Sequence, residues 1–174
     1  MTLAAGPFAI AATLLAAGGA AKAVRPGDTA NALRTMRLPS STLLIRVGGF
    51  AEAVVGVAAL AVGDRVTAVL LGLSFLAFAA FVALALRRDA PISSCGCFGK
   101  ADTPPSRVHV AINLGAVAAA AGVAVQPSAG LPDVLSGQPL AGVPFVLLLA
   151  CGVGLAFLAL TSLPRTMALV RPGG

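Results

Sequence analysis

Of the 174 residues, 58% are hydrophobic and only 10% charged, against roughly 25% charged in a soluble domain. The chain therefore cannot cover a water-facing surface and reads as one integral membrane domain over 1–174. Twelve Lys and Arg against six Asp and Glu give a net charge of +6, with neither Trp nor Tyr; without a soluble basic face carrying base-reading side chains this excludes nucleic acid as a partner and leaves membrane orientation as the meaning of the charge.

A spanning helix needs about 20 mostly apolar residues, and five stretches supply them, at about 3–21, 43–62, 66–86, 108–125 and 143–163. The first lacks a basic leader and its apolar run continues past Leu15 to Ala21, so it reads as a retained span rather than a cleaved signal. Between the first two spans, Pro26 and Pro39 bracket a segment in which Asp28 or Thr29 can cap a short helix. Ala30, Leu33 and Met36 share one face of it, which predicts an amphipathic helix at the interface. Residues 63–65 predict a tight turn. Residues 126–142, with Pro127, Pro132 and Pro139 and no basic residue, predict an irregular loop. The expected fold is all-α: a polytopic transmembrane bundle with a four-helix core, five spans and a short interfacial helix.

The basic residues orient this bundle. Lys22, Arg25, Arg34, Arg37 and Arg46 lie at one end with Arg87, Arg88, Lys100, Arg107, Arg165 and Arg171, and only Arg65 lies at the other. By the positive-inside rule the N-terminus is outside and the C-terminus inside a prokaryotic cytoplasmic membrane. The link between the third and fourth spans then faces the cytoplasm.

That link contains Ser94-Cys95-Gly96-Cys97-Phe98-Gly99-Lys100. Two cysteines separated by one Gly can close a small strained ring, which Gly96 has the backbone freedom to permit. Strained disulfides are oxidising and exchange readily, and Lys100 favours the thiolate. Two other readings stay open: an idle reduced turn, and a metal site drawing on both thiolates and His109, for which one His and three Cys make four ligands hard to assemble. Cys151, inside the fifth span, is either a small packing residue or a relay partner.

Glu52 lies near the middle of the second span, where an ionisable side chain needs a partner or a function. Gly48 and Gly56, four residues to either side, predict a close helix approach on its face. The carboxyl then faces the bundle interior, as a hydrogen-bonded packing group, a proton carrier or a contact to a cofactor head group. Its candidate partners are Arg46, Asn113 and Lys22; Arg46, six positions away on the same helix, is poorly placed. Lys22 otherwise reads as a snorkelling anchor. His109 and Asn113 stand at i and i+4 and share a face, either as hydrogen-bonding groups at a helix end or as the lining of a pocket under the dithiol, with His109 exchanging protons.

The stretch AAGGAAKAVRPGDTANALRTMRLPSSTLLIRVGGFAEAVVGVAAL and the later CGCFGK, followed by Ser106, His109 and Asn113, resemble the MauE/DoxX group of redox-associated membrane proteins. The resemblance runs from about Leu14 to Leu114. Where that family often carries a base before the Asn, this chain has Ile112. The resemblance implies a helical bundle supporting thiol–disulfide exchange with a thioredoxin-like partner. Cys95 and Cys97 would exchange electrons, with Glu52 and His109 handling protons and Gly96, Phe98, Lys100, Asn113, Arg46 and Lys22 in support. A looser similarity exists to DsbB and vitamin K epoxide reductase, which use a quinone and a Cys-x-x-Cys spacing that this chain lacks; no cofactor is assigned, and a quinone is the candidate. The competing expectations are a non-catalytic membrane scaffold and a metal-handling membrane protein. The family's work on extracytoplasmic disulfides also stands against a dithiol that the charge count places inside.

Overall fold

The computed structural model describes residues 4–88, 105–137 and 139–163. Among them are seven α-helices and no strand: α1 (Ala5–Val24), α2 (Gly27–Thr35), α3 (Thr42–Val62), α4 (Arg65–Arg87), α5 (Arg107–Val125), α6 (Leu131–Ser136) and α7 (Val143–Thr161), with a 3-10 turn at Pro139–Gly142. Five of these, α1, α3, α4, α5 and α7, are long and apolar enough to cross a membrane, as the five stretches predict. A helix satisfies all its backbone polar groups internally, which is what hydrocarbon demands of a spanning segment.

α1, α3, α4 and α5 form an antiparallel core, with α1 packed most extensively on α3 and α4 on α5. Phe8, Leu14, Leu15, Leu71, Phe75 and Val123 fill its centre. Phe75 and Phe78 meet edge to face, their centroids 5.8 Å apart. α7 leans on α1 and α5 from outside. Large side chains such as Phe50, Leu73, Leu148 and Leu155 point outward, the surface expected of a protein solvated by lipid tails.

Small residues set the α1–α3 distance. A Cβ built on Gly49 would meet the Gly19 carbonyl oxygen at 2.7 Å and the Ala23 nitrogen at 2.8 Å; one on Gly56 would meet the Ala16 nitrogen at 2.5 Å and the Ala12 oxygen at 2.7 Å. Backbones this close admit no side chain. The expected pair of Gly48 and Gly56 is corrected by one residue: Gly48 is exposed, with nothing within 4 Å of an added Cβ.

The tight turn falls where expected. Gly63 ends α3 in the left-handed region at φ 63°, and Asp64 caps α4, its Oδ1 accepting from the Thr67 nitrogen at 2.8 Å and hydroxyl at 2.6 Å. The Thr67 hydroxyl, and then the Thr67 N–H, hold the Asp64 carboxyl below its ordinary value of 3.8. Arg65 Nε donates to the Ala124 carbonyl at 2.9 Å, tying this end of α4 to the end of α5.

Two local expectations change. The interfacial helix starts earlier, with Pro26 at its N-cap and no side-chain capping bond, so Asp28 sits in its first turn. Its buried residues are Ala30 and Ala32, joined by Met36 just beyond it; Leu33 is half-buried. Met36 and Ala32 pack on Ala85 of α4, and Arg88 Nη1 donates to the Met36 carbonyl at 3.3 Å, so α2 lies across the end of the bundle where α4 terminates. The expected irregular loop after α5 instead holds α6, with a proline in its first turn, where the missing N–H costs nothing.

Candidate functional site

Lys22 sits in the last turn of α1 and is only 8% exposed. The close approach of Gly19 and Gly49 brings it beside Glu52 of α3. Its Nζ lies 2.6 Å from Glu52 Oε2 and 3.9 Å from the centroid of the Phe78 ring. Of the three candidate partners for Glu52 the structure selects Lys22, and Lys22 is a buried ion-pair member rather than a snorkelling anchor. A carboxylate and an aromatic face, two groups that favour a cation, thus hold the ammonium inside a spanning segment. Arg46 is exposed on α3 and lines neither cavity described below.

His109 and Asn113 enter from α5, 3% and 6% exposed. Ser106, at the N-cap of α5, places its Oγ 2.8 Å from His109 Nδ1, and the ring also faces the Leu160 backbone carbonyl of α7. Lys22, Glu52, Phe78, His109 and Asn113 together line a cavity of about 20 Å³ at the bundle centre, room for a single water among polar partners. A second, larger cavity of about 250 Å³ lies on the other side of the ion pair, between α3 and α4 and beneath α2. Lys22, Glu52 and Phe78 form a wall common to both.

The cluster lies in the half of the bundle toward one end, with Glu52 at the middle of α3 and Lys22 and His109 nearer that end of α1 and α5. Because α1, α3, α4 and α5 alternate in direction, the last turn of α1, the start of α3, the end of α4 and the start of α5 coincide there. The connection from α4 to α5 leaves from this end. Cys95, Gly96, Cys97, Phe98 and Lys100 belong to that connection and lie outside the described residues. Among the described residues the cysteine is Cys151, free and exposed on α7, which corrects its reading as a packing residue. No three His, Cys, Asp or Glu side chains among the described residues are grouped to hold a metal ion.

Phe78 was not anticipated. Its signal is the repeat Phe75, Phe78, Phe81 on α4, an aromatic stripe at three-residue spacing on a span that must face a buried cation. Leu160 carried no such signal.

These features define a multi-pass, all-helical membrane protein with an ionic cluster enclosed in its core. The sequence profile of the methylamine utilisation protein MauE matches residues 1–126, and the chain belongs to the MauE family. The matched region covers α1 to α5 and ends just past α5, leaving α6 and α7 beyond it. It bears on MauE alone; the DoxX side of the resemblance rests on the motifs. No curated protein and no solved structure matches the chain.

Proposed function

We propose that this MauE-family protein is a thiol–disulfide redox protein of the prokaryotic cytoplasmic membrane. Cys95 and Cys97 alternate between dithiol and disulfide, exchanging with a thioredoxin-like partner and so supporting disulfide formation in other proteins. One observation carries the reading: Lys22, Glu52, His109 and Asn113 gather around one internal cavity in the half of the bundle from which the segment bearing the two cysteines departs.

Intramembrane ionisable groups are costly and mark proton or substrate pathways. Oxidation of two thiols to a disulfide releases two electrons and two protons, and reduction of the partner's disulfide takes up both. Between thiol deprotonation and protonation of the partner's leaving thiolate, the Glu52 carboxylate and the His109 imidazole are the groups of the cavity that can hold a proton. His109 stands four residues beyond Pro105, where the described chain resumes. Cys95 is seven residues from Arg88, a reach of up to about 25 Å at full extension. The charge distribution supports a cytoplasmic dithiol and an external N-terminus.

Thiol trapping with a mass tag, before and after reduction, tests the reading. The expected result is a two-thiol shift that Cys95→Ser or Cys97→Ser removes; cysteines that stay reduced under every growth condition overturn it. An unchanged phenotype in Cys95→Ser/Cys97→Ser would instead favour a scaffold, and stoichiometric Zn or Cu on pure protein a metal-handling role. Labelling with an impermeant maleimide in intact cells tests the sidedness, and modification of Cys95 or Cys97 from outside reverses the proposed orientation.

A further inference from the structure

Among the described residues, the hydrogen bonds of the His109 ring run to α5 and α7 and not to the Lys22–Glu52 pair. Its Nδ1 lies 2.8 Å from the Ser106 hydroxyl oxygen, and the ring faces the Leu160 backbone carbonyl. A carbonyl oxygen only accepts, so the ring nitrogen turned to it carries a hydrogen. With Nδ1 against Ser106, that nitrogen is Nε2. The neutral ring is therefore the Nε2–H tautomer, with its lone pair on Nδ1 and aimed at Ser106. Lys22 of α1 and Glu52 of α3 are the charged groups that line the cavity with His109, and they bond to each other at 2.6 Å. α4 and α7 present Phe75, Phe78 and Leu160 there.

Ser106 forgoes the more usual use of its hydroxyl. At a helix N-cap a serine oxygen ordinarily accepts from a backbone N–H of the first turn. At the N-cap of α5 it makes no such bond, and the His109 N–H goes instead to the Ser106 carbonyl at 3.1 Å. The hydroxyl is left to the ring. Ser106 is half-buried, whereas His109 is 3% exposed, so the hydroxyl links an enclosed imidazole to the more open end of α5.

We infer that Ser106 is the positioning residue of His109: its hydroxyl fixes Nδ1 as the proton-accepting atom and passes protons between it and water at this end of the bundle, so that His109 does not exchange protons with Glu52. A hydroxyl both donates and accepts. Beside the neutral ring it donates to Nδ1. In the transfer Oγ gives that hydrogen to Nδ1 and takes another from a hydrated proton; the new O–H turns outward, and Oγ then accepts from Nδ1–H. One N–H bond forms, the O–H bond of Ser106 breaks and is remade, and the hydrated proton becomes water. The positive charge ends on the ring and no electron moves. Both states use the same heavy-atom positions, and Nε2–H keeps the Leu160 carbonyl throughout. The inference rests on the dithiol reading only for what the protons serve; the tautomer and the route stand without Cys95 and Cys97.

The chain contains one histidine, so nitrogen NMR of the full-length protein, labelled at the histidine ring nitrogens and purified without a histidine tag, reads His109 alone. Couplings to the ring hydrogens tell the nitrogens apart, since Nε2 has a carbon-bound hydrogen on both sides and Nδ1 on one. The neutral ring should carry its hydrogen on Nε2, with Nδ1 bare and shifted by an accepted hydrogen bond. Ser106→Ala should move the Nδ1 resonance to that of an unbonded imidazole nitrogen and leave Nε2 in place. It should also slow exchange between the two protonation states, read from line widths, by more than about tenfold. Ser106→Thr, which keeps the hydroxyl, should restore both. The tautomer of the parent protein needs no variant, and Ser106→Gly, a favourable N-cap, removes the hydroxyl a second way should Ser106→Ala fold poorly. Cys95→Ser/Cys97→Ser should give the parent spectra, which separates failure here from failure of the dithiol reading. A hydrogen on Nδ1 with a bare Nε2, or an Nδ1 resonance and exchange rate unchanged on loss of the hydroxyl, overturns the inference.

Discussion

Replacing Lys22 with Met keeps most of the apolar stem and removes the ammonium together with both of its contacts, the Glu52 carboxylate at 2.6 Å and the Phe78 ring at 3.9 Å. Breaking a buried pair by removing one partner costs about 3–5 kcal/mol, whereas an exposed pair contributes about 0–1. With side chains only 9% and 21% exposed, this pair falls near the buried limit, at about 3 kcal/mol. The lost cation–π contact adds about 1 kcal/mol, so Lys22→Met should cost about 4. Glu52→Gln keeps an acceptor for the ammonium but removes the charge, and should cost about 2 kcal/mol. The double variant leaves no orphaned charge and should cost about 2 kcal/mol less than the sum of the singles. Unfolding in mixed micelles titrated with dodecyl sulfate, followed by helical circular dichroism since the chain has no Trp or Tyr, gives the three values. Additivity within about 0.5 kcal/mol would refute the reasoning, because it would mean that the two groups do not depend on each other.

The same unfolding assay checks three more predictions. Gly49→Ala pushes a methyl into the α1 backbone and should cost about 3 kcal/mol or more, while Gly48→Ala meets open space and should be neutral or gain up to about 1 kcal/mol from helix propensity; equal effects at the two positions would contradict the helix register. Asp64→Ala should destabilise at neutral pH through loss of the α4 cap. Because the folded carboxyl sits below its ordinary value of 3.8, its contribution is complete above that value and fades as pH falls through the lower folded one, so the gap to the parent protein should close only in strong acid; a gap constant with pH argues against the cap. Cys151→Ala, on the outward face of α7, should change stability by less than about 0.5 kcal/mol, a result that a packed or disulfide-bonded cysteine would not give.

The spans were legible because lipid leaves a chain few options: a 20-residue apolar run must be a helix, and hydropathy alone marks it. Features that depend on angle and register were less so. Gly48 and Gly56 look symmetric about Glu52, yet eight residues at about 100° each leave them roughly 80° apart around the axis, whereas Gly49 and Gly56, seven residues apart, differ by only about 20°. The helix interface follows the angle, not the symmetry in the sequence. α6 was hidden for a related reason: Pro132 reads as a breaker in a proline-rich stretch, but in a first turn it is compatible with the helix it opens. The Lys22–Glu52 contact spans 30 residues and needs the α1–α3 register to be seen, though elimination goes part of the way. Arg46 shares the helix with Glu52 at the wrong angle, which leaves Lys22 and Asn113 as candidates between which the sequence does not choose. What elimination could not supply is Phe78, since an aromatic ring over a cation is visible only once the backbone has placed α4 against α1. That ring, together with the ion pair, forms the wall common to the two cavities.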